Sequence, residues 1–167
     1  GFGPGNRRFV DGETAGLGAA DLPRLRVKWA FAYPNATRAR SQPTVAGGAV
    51  FVGSQDGTVY ALDAASGCAR WTFRADGEVR TAVLVEPWSA GDTAARPSAY
   101  VSDADGKVYR LDAQTGAPIW SVEVDEHPNA VISGTPTLHA GRLYVPMSST
   151  EWAAAADPAY ECCTFRG

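Results

Sequence analysis

Val50-Phe51-Val52-Gly53-Ser54, Gln55-Asp56-Gly57, Thr58-Val59-Tyr60-Ala61-Leu62, Asp63-Ala64-Ala65-Ser66-Gly67, Cys68-Ala69-Arg70-Trp71-Thr72-Phe73: in that order, three β-rich runs alternate with two turns. Asp-Gly supplies the positive φ of a tight hairpin, and Asp63-x-x-Ser66-Gly67 offers a turn capped by its own side chains. Short strands joined this way make an antiparallel meander.

The same text returns 49 residues later as Ala99-Tyr100-Val101-Ser102, Asp105-Gly106, Lys107-Val108-Tyr109-Arg110-Leu111, Asp112 with Gly116, and Ile119-Trp120-Ser121-Val122. Gly57 maps to Gly106, Asp63 to Asp112, Gly67 to Gly116 and Trp71 to Trp120. A third copy opens with Pro136-Thr137-Leu138, turns at Ala140-Gly141 and continues Arg142-Leu143-Tyr144-Val145, mirroring Pro43-Thr44-Val45, Gly47-Gly48 and Val50-Phe51-Val52. The unit is about four strands long, and four-stranded units recurring every ~40–50 residues are β-propeller blades. The sequence therefore predicts an all-β chain, a partial β-propeller of about three four-stranded blades. Two chance hairpins in an ordinary sandwich would not repeat turn residues, strand runs and closing Trp together.

A chain of 167 residues suits one ordinary domain, but a propeller ring needs roughly 4–8 blades before its sheet edges are protected. The expectation is thus a fragment of a larger ring. Net charge is -3, and the longest basic run is Arg7-Arg8. That balance argues against nucleic acid, whose binders carry a basic face. No window approaches the ~20 apolar residues of a membrane span, and no signal peptide is recognisable.

Residues 1–24, rich in turn formers, read as an N-terminal arm, with Asp21 as the N-cap of a helical turn at Asp21-Leu22-Pro23. Residues 25–167 read as incomplete propeller blades. Leu25-Arg26-Val27-Lys28-Trp29-Ala30-Phe31 alternates like a half-buried strand and echoes Trp71-Thr72-Phe73, so it is expected to be the outer strand of another blade. Blade one covers about 42–73 and blade two 80–122, with an A–B connection at Glu86-Pro87-Trp88 to Pro97 that reads as a solvent loop. Blade three starts near Thr135 and stops before its third strand. Trp71 and Trp120 are expected to be buried on the outer strands.

In a four-stranded up-and-down blade, the D–A and B–C connections emerge on one face and the A–B and C–D connections on the other. The long B–C connection of blade three, 145–167, contains Glu151, Trp152, Cys162, Cys163 and Arg166. The D–A connections around Arg38 to Gln42, around Arg80 and over 125–135 share its face. Sites on rigid scaffolds sit in such loops. Glu151 and Trp152 read only as a solvated residue and a loop anchor. His127 and His139 show no metal spacing, and no Cys-x-x-Cys-His haem signature is present.

Ala61-Leu62-Asp63-Ala64-Ala65-Ser66-Gly67-Cys68-Ala69-Arg70-Trp71 resembles the tryptophan-docking repeat of pyrroloquinoline quinone (PQQ) dehydrogenases. Leu111-Asp112-Ala113-Gln114-Thr115-Gly116-Ala117-Pro118-Ile119-Trp120 is a second copy, departing by Arg110 where Ala is usual. Small Gly and Ala let the indole of a neighbouring blade stack flat. Asn6-Arg7-Arg8-Phe9 with Leu25-x-x-Lys28-Trp29 is similar to the approach to the first blade in quinoprotein alcohol dehydrogenases. Glu161-Cys162-Cys163-Thr164-Phe165-Arg166-Gly167 resembles the Cys-Cys stretch of polyvinyl alcohol dehydrogenase-like members.

The resemblance implies an eight-bladed parent, of which this is the N-terminal part, that oxidises an alcohol substrate with PQQ and Ca²⁺ and passes electrons to a cytochrome c, in the periplasm. It implies a vicinal Cys162–Cys163 disulfide as a stacking plate, against the alternatives of two thiols or a bridge to Cys68. Arg166, Arg80 and Arg40 become candidate contacts for PQQ carboxylates, while calcium ligands and general base are expected beyond residue 167. The competing class is a non-catalytic PQQ-repeat scaffold in envelope assembly or sensing.

Overall fold

The computed structural model describes residues 10–166; Asn6-Arg7-Arg8-Phe9, and with it that part of the resemblance, lies outside them. The chain forms two compact units, Gly1–Phe31 and Ala32–Gly167.

In the first unit, α1 (Gly12–Ala15) is capped by Asp11, whose carboxylate accepts the Thr14 amide, and a 3-10 helix covers Ala19–Arg24. Asp21 is not the N-cap expected of it. Gly18 holds that place, and Asp21 reaches back from inside the helix to accept the Gly18 amide at 2.8 Å. Residues 25–31 form no strand of the described sheets. An outer strand exists only by pairing with its own blade's third strand, and no described strand plays that part for it.

The second unit holds the blades. β1 (Thr44–Ala46), β2 (Ala49–Gly53), β3 (Thr58–Asp63) and β4 (Ala69–Arg74) form one antiparallel sheet in chain order. β5 (Leu84–Val85), β6 (Ser98–Ser102), β7 (Lys107–Asp112) and β8 (Pro118–Glu123) form the second in the same order. The repeat extends to its irregularities: the register slips between Ala61 and Leu62 in the first sheet and between Arg110 and Leu111 in the second, again 49 residues apart.

The turns explain themselves residue by residue. Asp63 Oδ1 accepts the amides of Ala65 and Ser66, and Asp112 Oδ1 those of Gln114 and Thr115. Gly57 turns at φ +90°, and a Cβ there would stand 2.8 Å from the carbonyl oxygen of Gly77, so the hairpin tip needs glycine for both conformation and space.

The blades pack face to face through Phe51, Val59 and Ala61 on one side and Val101, Tyr109 and Leu111 on the other. Inner strands are covered on both faces, which is why β6 is buried at every residue although it lacks alternation. Trp71 docks as the repeat implies: its Nε1 donates to the Ala113 carbonyl at 3.1 Å, and its ring lies on Gly116. Trp120, expected to be buried, is 38% exposed, because no described residue supplies the next docking glycine.

Residues 86–97 are not a plain solvent loop. Trp88 packs on Gly47 and against the core cluster, its carbonyl accepts the Gly47 amide, and Glu86 accepts the Ser98 amide and the Tyr100 hydroxyl. Blade three also departs from expectation. β10 (Thr137–His139) and β11 (Arg142–Tyr144) pair as its first two strands, but β9 (Ala130–Ile132) and β12 (Met147–Ser149) form a separate antiparallel ribbon, followed by α2 (Glu151–Ala154). The ribbon joins a D–A connection to a B–C connection, two loops that blade geometry puts on one face.

Candidate functional site

Short hydroxyl side chains at the entrance of the blades fix this face. Ser41 Oγ accepts the Gly53 amide and donates to the Thr81 carbonyl; Thr81 Oγ1 contacts Ser102; Thr135 Oγ1 accepts the Ala82 amide. Each D–A connection is thereby bonded to the next. Asp103, fully buried in the B–C turn of blade two, accepts the Gly77 amide and the Tyr109 hydroxyl.

On that frame two of the candidate residues meet. Arg80 Nη2 donates to Glu78 Oε2 at 3.0 Å, and Arg40 Nη1 stands 3.9 Å from Glu78 Oε1. Two guanidinium groups share one carboxylate, which leaves the trio with a surplus positive charge. Arg80 Nε is buried and, among the described residues, has no hydrogen-bond partner. A buried unpaired donor is costly, and any acceptor that reaches it, a carboxylate among them, would satisfy it.

The other three candidates lie together on the segment after α2. Cys162 and Cys163 are disulfide-bonded to each other across a cis peptide, while Cys68 is an exposed free thiol, so the alternatives of paired thiols or a bridge to Cys68 fall away. Both half-cystines are exposed. Arg166 Nη1 donates to the carbonyls of Cys163 and Phe165, and among the described residues no carboxylate pairs with it. No described hydrogen bond or ion pair joins this group to Arg40 and Arg80.

Glu151, expected to be a solvated residue, is buried. It is 4% exposed and forms the centre of the insert. Its Oε1 accepts the Tyr160 hydroxyl at 2.9 Å and the Thr164 amide at 2.7 Å, and its Oε2 accepts the Phe165 amide at 3.1 Å. Burial pushes its carboxyl upward, but the Thr164 amide, the Tyr160 hydroxyl and the Phe165 amide outweigh burial and hold it at about 2. Trp152, expected to anchor the loop, is 79% exposed. Glu78 and Glu151 were not legible as site residues. The one available signal was negative: each is an acidic residue inside a loop that the repeat places on the candidate face.

The family model PQQ_2, described as "Outer membrane protein assembly factor BamB", matches residues 16–158. A polyvinylalcohol dehydrogenase of Pseudomonas sp is 43% identical over 169 residues, which is 100% of this chain and 26% of that protein. A second, from Sphingopyxis sp. (strain 113P3), is 40% identical over 151 residues, 90% of this chain and 23% of that protein. The chain thus spans about a quarter of the length of the curated relatives it matches. Among solved structures, a quinohemoprotein alcohol dehydrogenase from Comamonas testosteroni gives a TM-score of 0.55 at 22% identity, over 70% of this chain and 18% of that one. A europium-containing methanol dehydrogenase gives 0.59 at 22% identity, over 78% and 24%. These likenesses bear out the partial propeller. With two docking repeats built alike and a family match over most of its length, the chain belongs to the PQQ_2 repeat family.

Proposed function

We propose that the chain is part of a PQQ-dependent dehydrogenase that oxidises alcohol groups, polyvinyl alcohol or another secondary alcohol, and that the face carrying Arg40, Arg80 and the Cys162–Cys163 disulfide contributes to its PQQ pocket. The observation that carries this reading is the Arg40–Glu78–Arg80 trio with its buried, unpartnered Arg80 Nε. PQQ is a flat tricarboxylate, so it asks for cations at its edge and a plate against its ring. Arg80 and Arg40 fit the first need, joined by Arg166, whose charge faces only carbonyls. The exposed disulfide fits the second.

When bound, PQQ supplies the ortho-quinone that accepts the alcohol's hydride. The residues of this chain would bind and orient it: the arginines would neutralise its carboxylates, and the disulfide would cover one face. Ca²⁺ ligands and the general base are expected beyond residue 167. Electrons leave to a cytochrome c, and the compartment is the periplasm. No helix among the described residues is long and apolar enough to cross a membrane.

A second reading, a scaffold without cofactor, is favoured by the matching family model, which is that of an outer membrane protein assembly factor. PQQ titration of the full-length apoprotein, followed by fluorescence quenching, separates the two. Arg80→Ala is expected to raise the Kd about tenfold or more, the worth of one charge-assisted hydrogen bond. Arg96→Ala, whose guanidinium bonds only loop carbonyls in the A–B connection, is expected to leave it unchanged. Absence of PQQ binding, or wild-type affinity in Arg80→Ala, overturns this assignment.

A further inference from the structure

The disulfide sits on an exposed arch with little packing of its own: residues 161–164 are all exposed. An exposed loop would wander, and a plate that stacks on a flat ring has to be held still. What holds it is one carboxylate. Tyr160, just before the arch, donates its hydroxyl to Glu151 Oε1; Thr164 and Phe165, just after it, donate their amides to Oε1 and Oε2. The Thr164 hydroxyl reaches Oε1 as well, at 3.2 Å. Both feet of the arch therefore stand on Glu151, with Glu161, Cys162 and Cys163 between them.

The carboxylate is itself immobilised. Glu151 opens α2 directly after β12, and its amide donates to Ser149 Oγ at 2.9 Å. The Thr150 amide donates to the Asn129 carbonyl, and Asn129 Nδ2 donates to the Tyr160 hydroxyl. His127 Nε2 lies 2.9 Å from Thr164 Oγ1 and 3.8 Å from Glu151 Oε1, with its ring edge-on to Phe165. His127 and Asn129 lead into β9, which pairs with β12. The arch is thus tied to the β9–β12 ribbon rather than only to its own loop.

We propose that Glu151 is the positioning residue of the Cys162–Cys163 plate: it touches neither substrate nor cofactor, and fixes where the disulfide stands by gripping the chain on both sides of it. A carboxylate is needed because only two acceptor oxygens together serve the Tyr160, Thr164 and Ser149 hydroxyls and two diverging amides. Glutamine offers a single acceptor oxygen and turns an NH₂ group toward one of the amides. The link to PQQ rests on the reading given under Proposed function; the grip on the disulfide does not.

The test uses the full-length protein and Glu151→Gln, with Glu86→Gln as a control that loses a carboxylate in blade two. A water-soluble phosphine is the reductant: each Cys162–Cys163 bond yields two thiols, the phosphine leaves as its oxide with oxygen from water, and alkylation followed by mass spectrometry counts the thiols. The exposed Cys68 is the internal standard. Glu151→Gln is expected to speed reduction about tenfold or more, Tyr160→Phe by less, and Glu86→Gln not at all. A folded Glu151→Gln protein reduced at the wild-type rate overturns the proposal. Should that variant fail to fold, hydrogen exchange in the wild type decides: the Thr164 and Phe165 amides are expected to exchange about tenfold or more slowly than those of Cys162 and Cys163, and equal rates overturn it. PQQ affinity is measured on the same variants. Faster reduction with unchanged PQQ affinity supports the positioning role and overturns the cofactor assignment instead.

Discussion

At the scale of single residues, Glu151 shows how a buried carboxylate stays charged with no lysine or arginine beside it among the described residues. The groups that face it are the Thr164 and Phe165 amides, the Ser149, Tyr160 and Thr164 hydroxyls and the His127 ring; Arg166, on the same segment, turns to carbonyls. Its pKa is lowered to about 2 from 4.5. A lowered folded-state value means that the stabilisation is complete above the ordinary value and is lost as pH falls toward the folded one. The ratio of disulfide reduction rates in Glu151→Gln and wild type should therefore stay constant from neutral pH to about 5 and shrink toward one near pH 2. A ratio independent of pH throughout would show that the charge is not what grips the arch.

Gly116 carries a second argument at this scale. Its φ is +75°, and a Cβ would lie 2.6 Å from the Trp71 ring. Gly116→Ala is expected to cost about 2 kcal/mol or more, from overpacking and an unfavourable backbone together. In the Trp71→Ala background, where the ring is gone, the same change should cost clearly less. Thermal melts of the four proteins of that cycle measure the coupling, and additivity would mean that the indole does not rest on this glycine.

At the scale of elements, the Asp-x-x-Ser/Thr-Gly turn is the part of the fold that the sequence states outright. Asp63, Ser66, Asp112 and Thr115 do locally what their types do in any turn, so spacing alone reveals them. Asp112→Ala, losing the bonds from Gln114 and Thr115, should cost about 1–2 kcal/mol, whereas Asp112→Asn keeps the accepting oxygen and should cost much less. Trp88, Glu78 and Glu151 were illegible for the opposite reason. Their partners are brought to them by the meeting of separate elements: Gly47 in the preceding blade for Trp88, Arg40 for Glu78, and the returning chain at Tyr160, Thr164 and Phe165 for Glu151. The β9–β12 ribbon was hidden likewise, since three-residue strands carry almost no period to read. The Cys pair and the arginines were found by resemblance and by loop topology, and the structure gathers them into two groups rather than one.

At the scale of the whole molecule, the second blade ends on an open side. Every residue of β8 is exposed, and Ile119, Trp120 and Val122 stand in a row on it. In the corresponding strand of blade one, Trp71 and Phe73 are half-buried, and Trp71 is seated on Ala113 and Gly116 of the neighbouring blade. Both outer strands carry a Trp at the same repeat position, and they differ in its seat: no described residue gives Trp120 what Ala113 and Gly116 give Trp71. Unpaired strand edges with apolar side chains recruit other chains. Produced alone, residues 1–167 are expected to self-associate in sedimentation at about 100 μM, and Ile119→Lys with Trp120→Lys is expected to restore a monomer without loss of β-signal. On the reading given under Proposed function the general base lies beyond residue 167, so this chain alone, given PQQ, Ca²⁺ and an alcohol, is expected to show no dye-linked turnover. A monomeric wild-type fragment, or one that turns over, would mean that these blades close a working surface without a neighbour.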